Sequence, residues 1–466
     1  MSDEILEGKE QETLKTDEDK KILKGMRFRR IVDINMIRVF FLVLFFGMVI
    51  SLIPALRPSY SDSEKRKLTA FPKPTVKTVL NGNFFDKIGL YFSDTFPFRD
   101  KFVEINGFLH GTFGHSEVEI HGKVEKGDKI PENIKKNDGT SSAAPSSPAD
   151  TKDDKTPSAP EITGPVVEQL GAIMIVDNSA YEYYNFVQST ADSYAAAVSR
   201  AGDMLGDKAK VYDIIVPTSM GITAPDNIVS GINTSDQKKS INYMYLKMSP
   251  SVSTVDVFDT LKAHKNEYIY FRTDHHWTAR GAYYAYKELM NLKGSKAAPL
   301  DRFINLRFDG FLGSFYSQTG KSPRLAATPD YVEAFQPKQT NVMHAVKTTG
   351  PVDLPVVSDG NALGQSSKYL SFLRGDQPFA TIVNPEITDN SVCIVVKESF
   401  GNAFVPFLTQ NYGTVHIVDY RYISTVDGRK LSQLAADTGA NDIIFINNIS
   451  ATRNKDLVGK IAEFVG

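Results

Sequence analysis

SVCIVVKESFGNAFVPFLTQNYGTVHIVDY, residues 391–420, decides the fold. Val392 to Val396 is a short, uninterrupted apolar run rich in β-branched residues, the composition of a buried strand. A helical stretch (NAFVPFLTQNY) follows, and VHIVDY reads as the next strand. Working outward, the same alternation recurs on both sides. Downstream come a helix near Leu431 to Ala436, the strand DIIFINN and a closing helix, Lys455 to Phe464. Upstream lie the run AIMIV (Ala172 to Val176), a helix near Ser189 to Met204, VYDIIVP (Val211 to Pro217), a helix at Ser235 to Lys247 and a short strand at Thr254 to Phe258. Short apolar strands alternating with helices predict an α/β sandwich around a mostly parallel sheet. Binding sites in such folds lie at the carboxyl ends of the strands.

One hydroxyl sits at such an end. Ser399 follows the strand Val392 to Val396 and precedes a helix beginning near Asn402, so a sharp strand-to-helix turn is expected to present it. Backbone N–H groups at the start of that helix suit an oxyanion, and Phe400, Gly401 and Asn402 are the candidate donors, with Asn178 as a further side-chain candidate. A helix-capping serine is the alternative reading.

A second stretch, YIYFRTDHHWTARGAYYAY at residues 268–286, holds Asp274-His275-His276-Trp277. A serine hydroxyl becomes a nucleophile when a histidine takes its proton and an acidic side chain fixes that histidine's tautomer. The D-x-H spacing lets Asp274 bond one nitrogen of His276 while the other faces the serine. His275 and Trp277 then support the loop. Two alternatives stay open at this point: Asp274 as a cap for the helix starting near Thr278, and a metal bound by the adjacent donors. No HxxxH or HExxH spacing accompanies them, and no cofactor is called for.

Composition limits the class. The chain has 466 residues, a formal net charge of −2 and a single cysteine, Cys393. There is no charge bias toward nucleic acid, and no intrachain disulfide is possible. The decisive segment is Val39 to Leu56, about 18 uncharged residues, close to the length needed to cross a bilayer. Lys20, Lys21, Lys24, Arg27, Arg29, Arg30 and Arg38 precede it, a denser basic cluster than Arg57, Lys65, Arg66 and Lys67 after it. The expectation is a single-pass cell-membrane protein with a cytoplasmic amino terminus and an extracytoplasmic carboxyl-terminal body.

The expected divisions are a cytoplasmic tail over 1–38, a transmembrane helix over 39–56, a membrane-proximal segment over 57–124, a disordered linker or insertion over 125–163 and the main domain over 164–466. Phe84, Phe85, Ile88, Tyr91 and Phe92 fall near helical spacing in the membrane-proximal part. The linker, rich in Pro, Ser, Ala, Lys and Asp, lacks the apolar residues to offset the entropy of ordering.

TDHHWTARGAYYAY resembles the signature of the DHHW protein family, and KESFGNAFVPFL with VHIVDYRY resembles its serine block. SEKRKL (63–68), DTFPFRD (94–100) and FLGSFYSQTG (311–320) also look like family segments. That family is similar to the SGNH-hydrolase-like domains of the alginate O-acetyltransferase machinery. The resemblance implies an SGNH-like three-layer sandwich with Asp274 as orienter, His276 as base and Ser399 as nucleophile. It further implies O-acetyl transfer, or esterase action, on a cell-envelope or secreted polysaccharide, with a polytopic membrane-bound O-acyltransferase as acetyl supplier. Tyr283, Tyr284, Tyr316, Arg421 and Tyr422 are candidates for a sugar groove. One departure is plain: the family's serine follows aspartate, and Ser399 follows Glu398. The rival expectation is a polysaccharide-binding or assembly protein that keeps the fold without catalysis.

Overall fold

The computed structural model describes residues 34–50, 53, 56–61, 66–75, 78–79, 83–99, 101–102, 118–132 and 170–466. The chain divides into two compact units, Met1–Phe102 and Val103–Gly466. In the first, residues 34–50 form a helix. Each side chain from Val39 to Phe46 is more than half exposed. No helix among the described residues is long and apolar enough to cross a membrane. Residues 51–52 and 54–55 of the expected span, most of the expected tail and residues 133–163 of the expected linker lie outside the described residues. Asn83–Asp94 is the helix expected from the aromatic spacing. Its last carboxylate accepts both the Thr69 N–H and the Thr69 hydroxyl, at 2.7 and 2.8 Å.

The second unit carries the sheet. In chain order its elements are β1 (Val118–His121), β2 (Ile173–Val176), β3 (Ser179–Glu182), α1 (Gln188–Leu205), β4 (Lys210–Val216), α2 (Gln237–Lys247), β5 (Val252–Thr254) and α3 (Ala279–Leu292). Then follow β6 (Phe303–Phe311), β7 (Asp330–Pro337), β8 (Val342–Lys347), β9 (Gly350–Pro355), β10 (Phe379–Val383), β11 (Val392–Lys397), α4 (Gly401–Leu408), β12 (Thr414–Asp419), α5 (Leu431–Thr438), β13 (Asp442–Asn448) and α6 (Lys455–Val465). Eight strands form one sheet in the order β9-β8-β10-β12-β11-β13-β4-β5. From β12 to β5 all pairings are parallel, whereas β10, β8 and β9 add on antiparallel. The sheet is therefore mixed, a parallel half with an antiparallel extension.

Alternation along each strand sends side chains to opposite faces. Cys393 and Val395 of β11 join Ala282, Tyr286 and Leu289 of α3 and Phe404 and Phe407 of α4 in one core. Ile394 and Val396 join Tyr194 and Val198 of α1, Met244 of α2, Leu434 of α5 and Ile461 of α6 in the other. Helices thus cover both faces, and β11 lies between two parallel neighbours. That placement brings the turn after Lys397 to the carboxyl edge of the sheet.

Three departures from the sequence reading bear on this unit. Val118–His121 pairs antiparallel with Ile173–Val176, and the compact unit begins at Val103, so the segment before the expected boundary at 164 supplies a strand. Glu125 to Glu132 of the expected linker is held too: Asp128 N–H donates to Phe186 O at 2.7 Å and Gln188 N–H to the Asp128 carboxylate at 2.9 Å. The strand expected at Thr254 to Phe258 ends at Thr254. Asp256 accepts the Phe258 N–H at 3.0 Å and turns the chain into a helix there.

Candidate active site

Ser399 stands in the turn between β11 and α4. The helix is capped at Phe400 without a side-chain bond, so Ser399 is not its cap. Thr278, not Asp274, caps α3, its hydroxyl accepting from Gly281 N–H. Neither Ser399 nor Asp274 is thereby spent on a helix cap, and His276 lies between them. His276 Nε2 lies 2.7 Å from Ser399 Oγ, and His276 Nδ1 lies 2.6 Å from Asp274 Oδ1. All three are buried, with Ser399 retaining 7% exposure. The contacts run hydroxyl, imidazole, carboxylate, and can pass the hydroxyl proton to the ring while the carboxylate holds the ring's other N–H.

The loop that places this pair is pinned from several sides. Asp274 Oδ1 also accepts the His276 N–H at 3.0 Å, and Oδ2 accepts the Ser314 N–H at 2.8 Å. Burial by itself pushes the Asp274 carboxyl upward. The charges of His276 and His275, with the bonds from His276 and Ser314, outweigh it and hold the group well below the ordinary carboxylate range. Gly313 is required here, because a Cβ on it would come within 2.3 Å of Asp274 Cβ and Oδ2. Asp330, at the start of β7, accepts the backbone N–H groups of Arg272 and Thr273 at 3.0 and 2.7 Å and fixes the loop's entry. The Tyr369 ring stacks on His276 at 3.8 Å, and its hydroxyl donates to Ser399 O at 3.0 Å. Trp277 is fully buried, and its indole N–H donates to Phe400 O at 2.9 Å, tying the histidine loop directly to the nucleophile turn. His275 contacts Ser314 Oγ through Nδ1 at 2.6 Å.

Asp274, His275 and His276 also bring one ligand atom each within 4.8 Å of one another, as a metal would need. The first and third of these residues are already bonded to each other, and His275 Nδ1 to Ser314. The candidate oxyanion donors are likewise engaged within the turn. Phe400 N–H donates to Glu398 Oε2, Gly401 N–H to Glu398 O and Asn402 N–H to Ser399 O, each at 3.1 Å. The Asn402 side chain donates to Asp376 at 2.9 Å, and that of Asn178 to Thr328 at 3.0 Å.

Beneath the turn lies a charged cluster. Lys397, wholly buried, is 3.1 Å from Asp419 and 3.3 Å from Asp376, and Arg421 bonds both carboxylates at 2.7 and 2.9 Å. Parallel register sets Lys397 beside Asp419. Arg421 is therefore buried in this cluster instead of lining a groove. Tyr283 bonds Ala298 O and packs on Phe407, while Tyr284 stacks on His264. Tyr316 sits beside the histidine loop, its N–H on Thr273 O. The sequence reading had no signal for Asp330, Tyr369 or Asp376. Gly313 and Ser314 lie within FLGSFYSQTG, which it did single out.

A mixed α/β fold whose sheet edge brings a serine, a histidine and an aspartate into one line of contacts narrows the class. The profile of the DHHW protein family matches residues 64–141 and 148–418. The chain belongs to that family. No curated protein is significantly similar to it in sequence. Among solved structures, a DHHW family protein from Eubacterium siraeum is similar at 23% identity with a TM-score of 0.56, over 63% of this chain and 96% of that one. Bacillus cereus PatB1 is similar at 18% identity with a TM-score of 0.52, over 63% and 99%. Its structure with a sulfonyl adduct aligns at 19% identity with the same TM-score, over 63% and 100%. These likenesses show the shared fold.

Proposed function

We propose that this chain is a membrane-anchored, extracytoplasmic O-acyltransferase that acetylates hydroxyls of a cell-envelope or secreted polysaccharide through Ser399, His276 and Asp274. The observation that carries this is the unbroken contact line from Ser399 Oγ through His276 to Asp274. Ser399 Oγ attacks the acyl carbonyl as His276 Nε2 takes its proton. The imidazolium, its Nδ1–H held by Asp274, gives that proton to the departing group, and an acyl-serine remains. A sugar hydroxyl then attacks the ester while His276 takes its proton, and Ser399 leaves with that proton as the acetylated sugar departs. Phe400, Gly401 and Asn402 are the donors nearest the nucleophile, and one of them exchanges its present partner for the developing oxyanion.

The anchor is the helix of residues 34–50, whose exposed apolar side chains suit a bilayer. The basic excess before it sets the body outside the cytoplasm. Acetyl supply falls to a polytopic membrane-bound O-acyltransferase, as the family resemblance implies.

The test uses the full chain in detergent micelles. Turnover of a chromogenic acetyl ester, and labelling by a sulfonyl fluoride read by mass spectrometry, are compared with Ser399→Ala. Wild type is expected to be labelled at Ser399 and to turn over at least about a thousandfold faster than the variant. Equal rates, or an unlabelled Ser399, would overturn the enzyme reading and favour a binding or assembly role.

A further inference from the structure

Among the described residues, Ser399 Oγ has two close acceptors and one proton to share between them. His276 Nε2 lies at 2.7 Å on one side. Glu398 Oε2 lies at 3.0 Å on the other, within the range of an O–H···O bond. If His276 were neutral with its proton on Nδ1 toward Asp274, and Glu398 were ionised, the hydroxyl could satisfy only one of them. The other neutral tautomer, protonated on Nε2, would satisfy both but leave Nδ1 without a proton against the Asp274 carboxylate at 2.6 Å. The three contacts Asp274–His276, His276–Ser399 and Ser399–Glu398 are all hydrogen bonds only when the group holds one additional proton.

The location of that proton follows from the remaining bonds. Glu398 is fully buried, and its carboxylate accepts Asn448 N–H on Oε1 at 2.9 Å and Phe400 N–H on Oε2 at 3.1 Å. Two backbone donors favour the ionised carboxylate. His276 has the Asp274 carboxylate at 2.6 Å on its other nitrogen. Among the described neighbours, the two backbone donors on Glu398 and the Asp274 carboxylate favour the imidazolium, against the burial of Glu398, which opposes its charge.

The other groups around the ring fit this assignment. His275, with its ring centroid 3.8 Å from that of His276, would oppose a charge on His276 if it were itself charged. Ser314 Oγ accepts the His275 backbone N–H at 3.1 Å and lies 2.6 Å from Nδ1, which is also 3.9 Å from the Asp274 carboxylate, so that carboxylate faces both rings. Tyr369 stacks on His276 and spends its hydroxyl proton on Ser399 O. Behind the turn, Lys397 and Arg421 balance Asp376 and Asp419.

We propose that the resting site holds one proton more than a neutral serine and histidine, as a His276 imidazolium flanked by Asp274 and, across the Ser399 hydroxyl, by Glu398. Glu398 is in this sense a catalytic residue, since it touches the reacting oxygen. The proposal rests on the reading of Ser399 as the nucleophile only for its consequence. Before attack, Nε2 gives its proton to water, and the hydroxyl proton turns from Glu398 Oε2 to Nε2. Only then does the Oγ–C bond form as that proton passes to Nε2. Activity accordingly rises with pH through the His276 midpoint, and Glu398 sets where that midpoint lies.

The test reads the proton itself. Side-chain nitrogen NMR of histidine-labelled full chain in micelles, with His276 assigned by comparison with His276→Gln, follows the ring through pH. In wild type at pH 7.5 both ring nitrogens are expected to carry protons, and a neutral ring there would overturn the proposal. Glu398→Asp withdraws the carboxylate from Oγ by about one carbon–carbon bond, roughly 1.5 Å. Its His276 midpoint is expected to fall by at least about half a pH unit, a threefold or greater loss of proton affinity. A midpoint that stays put while the ester-hydrolysis plateau drops would reduce Glu398 to a structural part of the turn. The reading of Ser399 fails separately: a shifted midpoint with Ser399 unlabelled by the sulfonyl fluoride would keep the proton-holding pair and remove acyl transfer.

Discussion

Lys397 on β11 and Asp213 on β4 are both wholly buried, on strands of one sheet with β13 between them, and the interior accommodates them by different means. Lys397 meets Asp419 and Asp376, and Arg421 completes a group of two cations and two anions. Asp213 has no cation partner among the described residues. Tyr194 donates to its Oδ1 at 2.6 Å, Asn447 bonds that tyrosine oxygen at 3.2 Å, and Asp213 Oδ2 has no hydrogen-bond partner. Burial raises the Asp213 carboxyl from 3.8 to about 7, against the lowering effect of the Tyr194 bond. One cluster thus keeps its charges by pairing them, and the other sheds its charge by holding a proton. The paired cluster lies directly beneath the nucleophile turn.

The largest expected effect comes from breaking the paired cluster. Lys397→Met removes one cation and leaves the buried Asp419 and the partly exposed Asp376 sharing Arg421, a loss of about 3–5 kcal/mol in denaturant unfolding at pH 7. Gly401 packs against the same side chain, since a Cβ there would lie 2.6 Å from Lys397 Cβ. Reactivity of Ser399 toward a sulfonyl fluoride should fall along with stability. A variant as stable as wild type would show that the cluster does not hold the turn.

The proton-holding cluster gives the next effect, and this one varies with pH. A carboxyl whose folded value lies above its unfolded one binds its proton more tightly in the folded chain. Its contribution is complete below about 3.8 and is lost as pH rises through about 7. The gap corresponds to at most about 4 kcal/mol. Asp213→Asn keeps a neutral polar group at that position and should remove this component. Urea midpoints at pH 5 and pH 8 measure it: wild type should lose more stability between the two than the variant. Equal losses would mean that Asp213 keeps its charge in the folded chain.

The sequence made some of this legible and left other parts silent. Runs such as DIIFINN and VCIVV are buried on both faces, so their identity as strands survives without neighbours. Asp274, His276 and Ser399 were legible because the chemistry requires those residue types at a loop and at a strand end. The antiparallel extension was not. Val342–Lys347 and Gly350–Pro355 are half exposed and carry His344, Lys347 and Asp353, so no apolar period marks them. Glu398 stood out as a departure from aspartate, but only coordinates show that its carboxylate reaches the hydroxyl. Asp330 and Asp376 act from segments far away in the chain, where a single carboxylate has no local pattern.

The smallest expected effect tests whether the turn needs the histidine loop as well as the charges beneath it. The Trp277 indole N–H is the bond between the two, ending on Phe400 O inside a fully buried contact. Trp277→Phe retains most of the apolar volume and deletes the donor, leaving a buried carbonyl short of a partner at about 1–3 kcal/mol. Unfolding should register that loss with little dependence on pH, because no titrating group is removed. The informative quantity is the ratio of effects. If the indole only fills space, Ser399 labelling per folded molecule stays at the wild-type rate. If it sets the separation between Ser399 and His276, labelling falls severalfold more than the folded fraction does, and Trp277→Phe combined with Lys397→Met departs from additivity because both hold one turn.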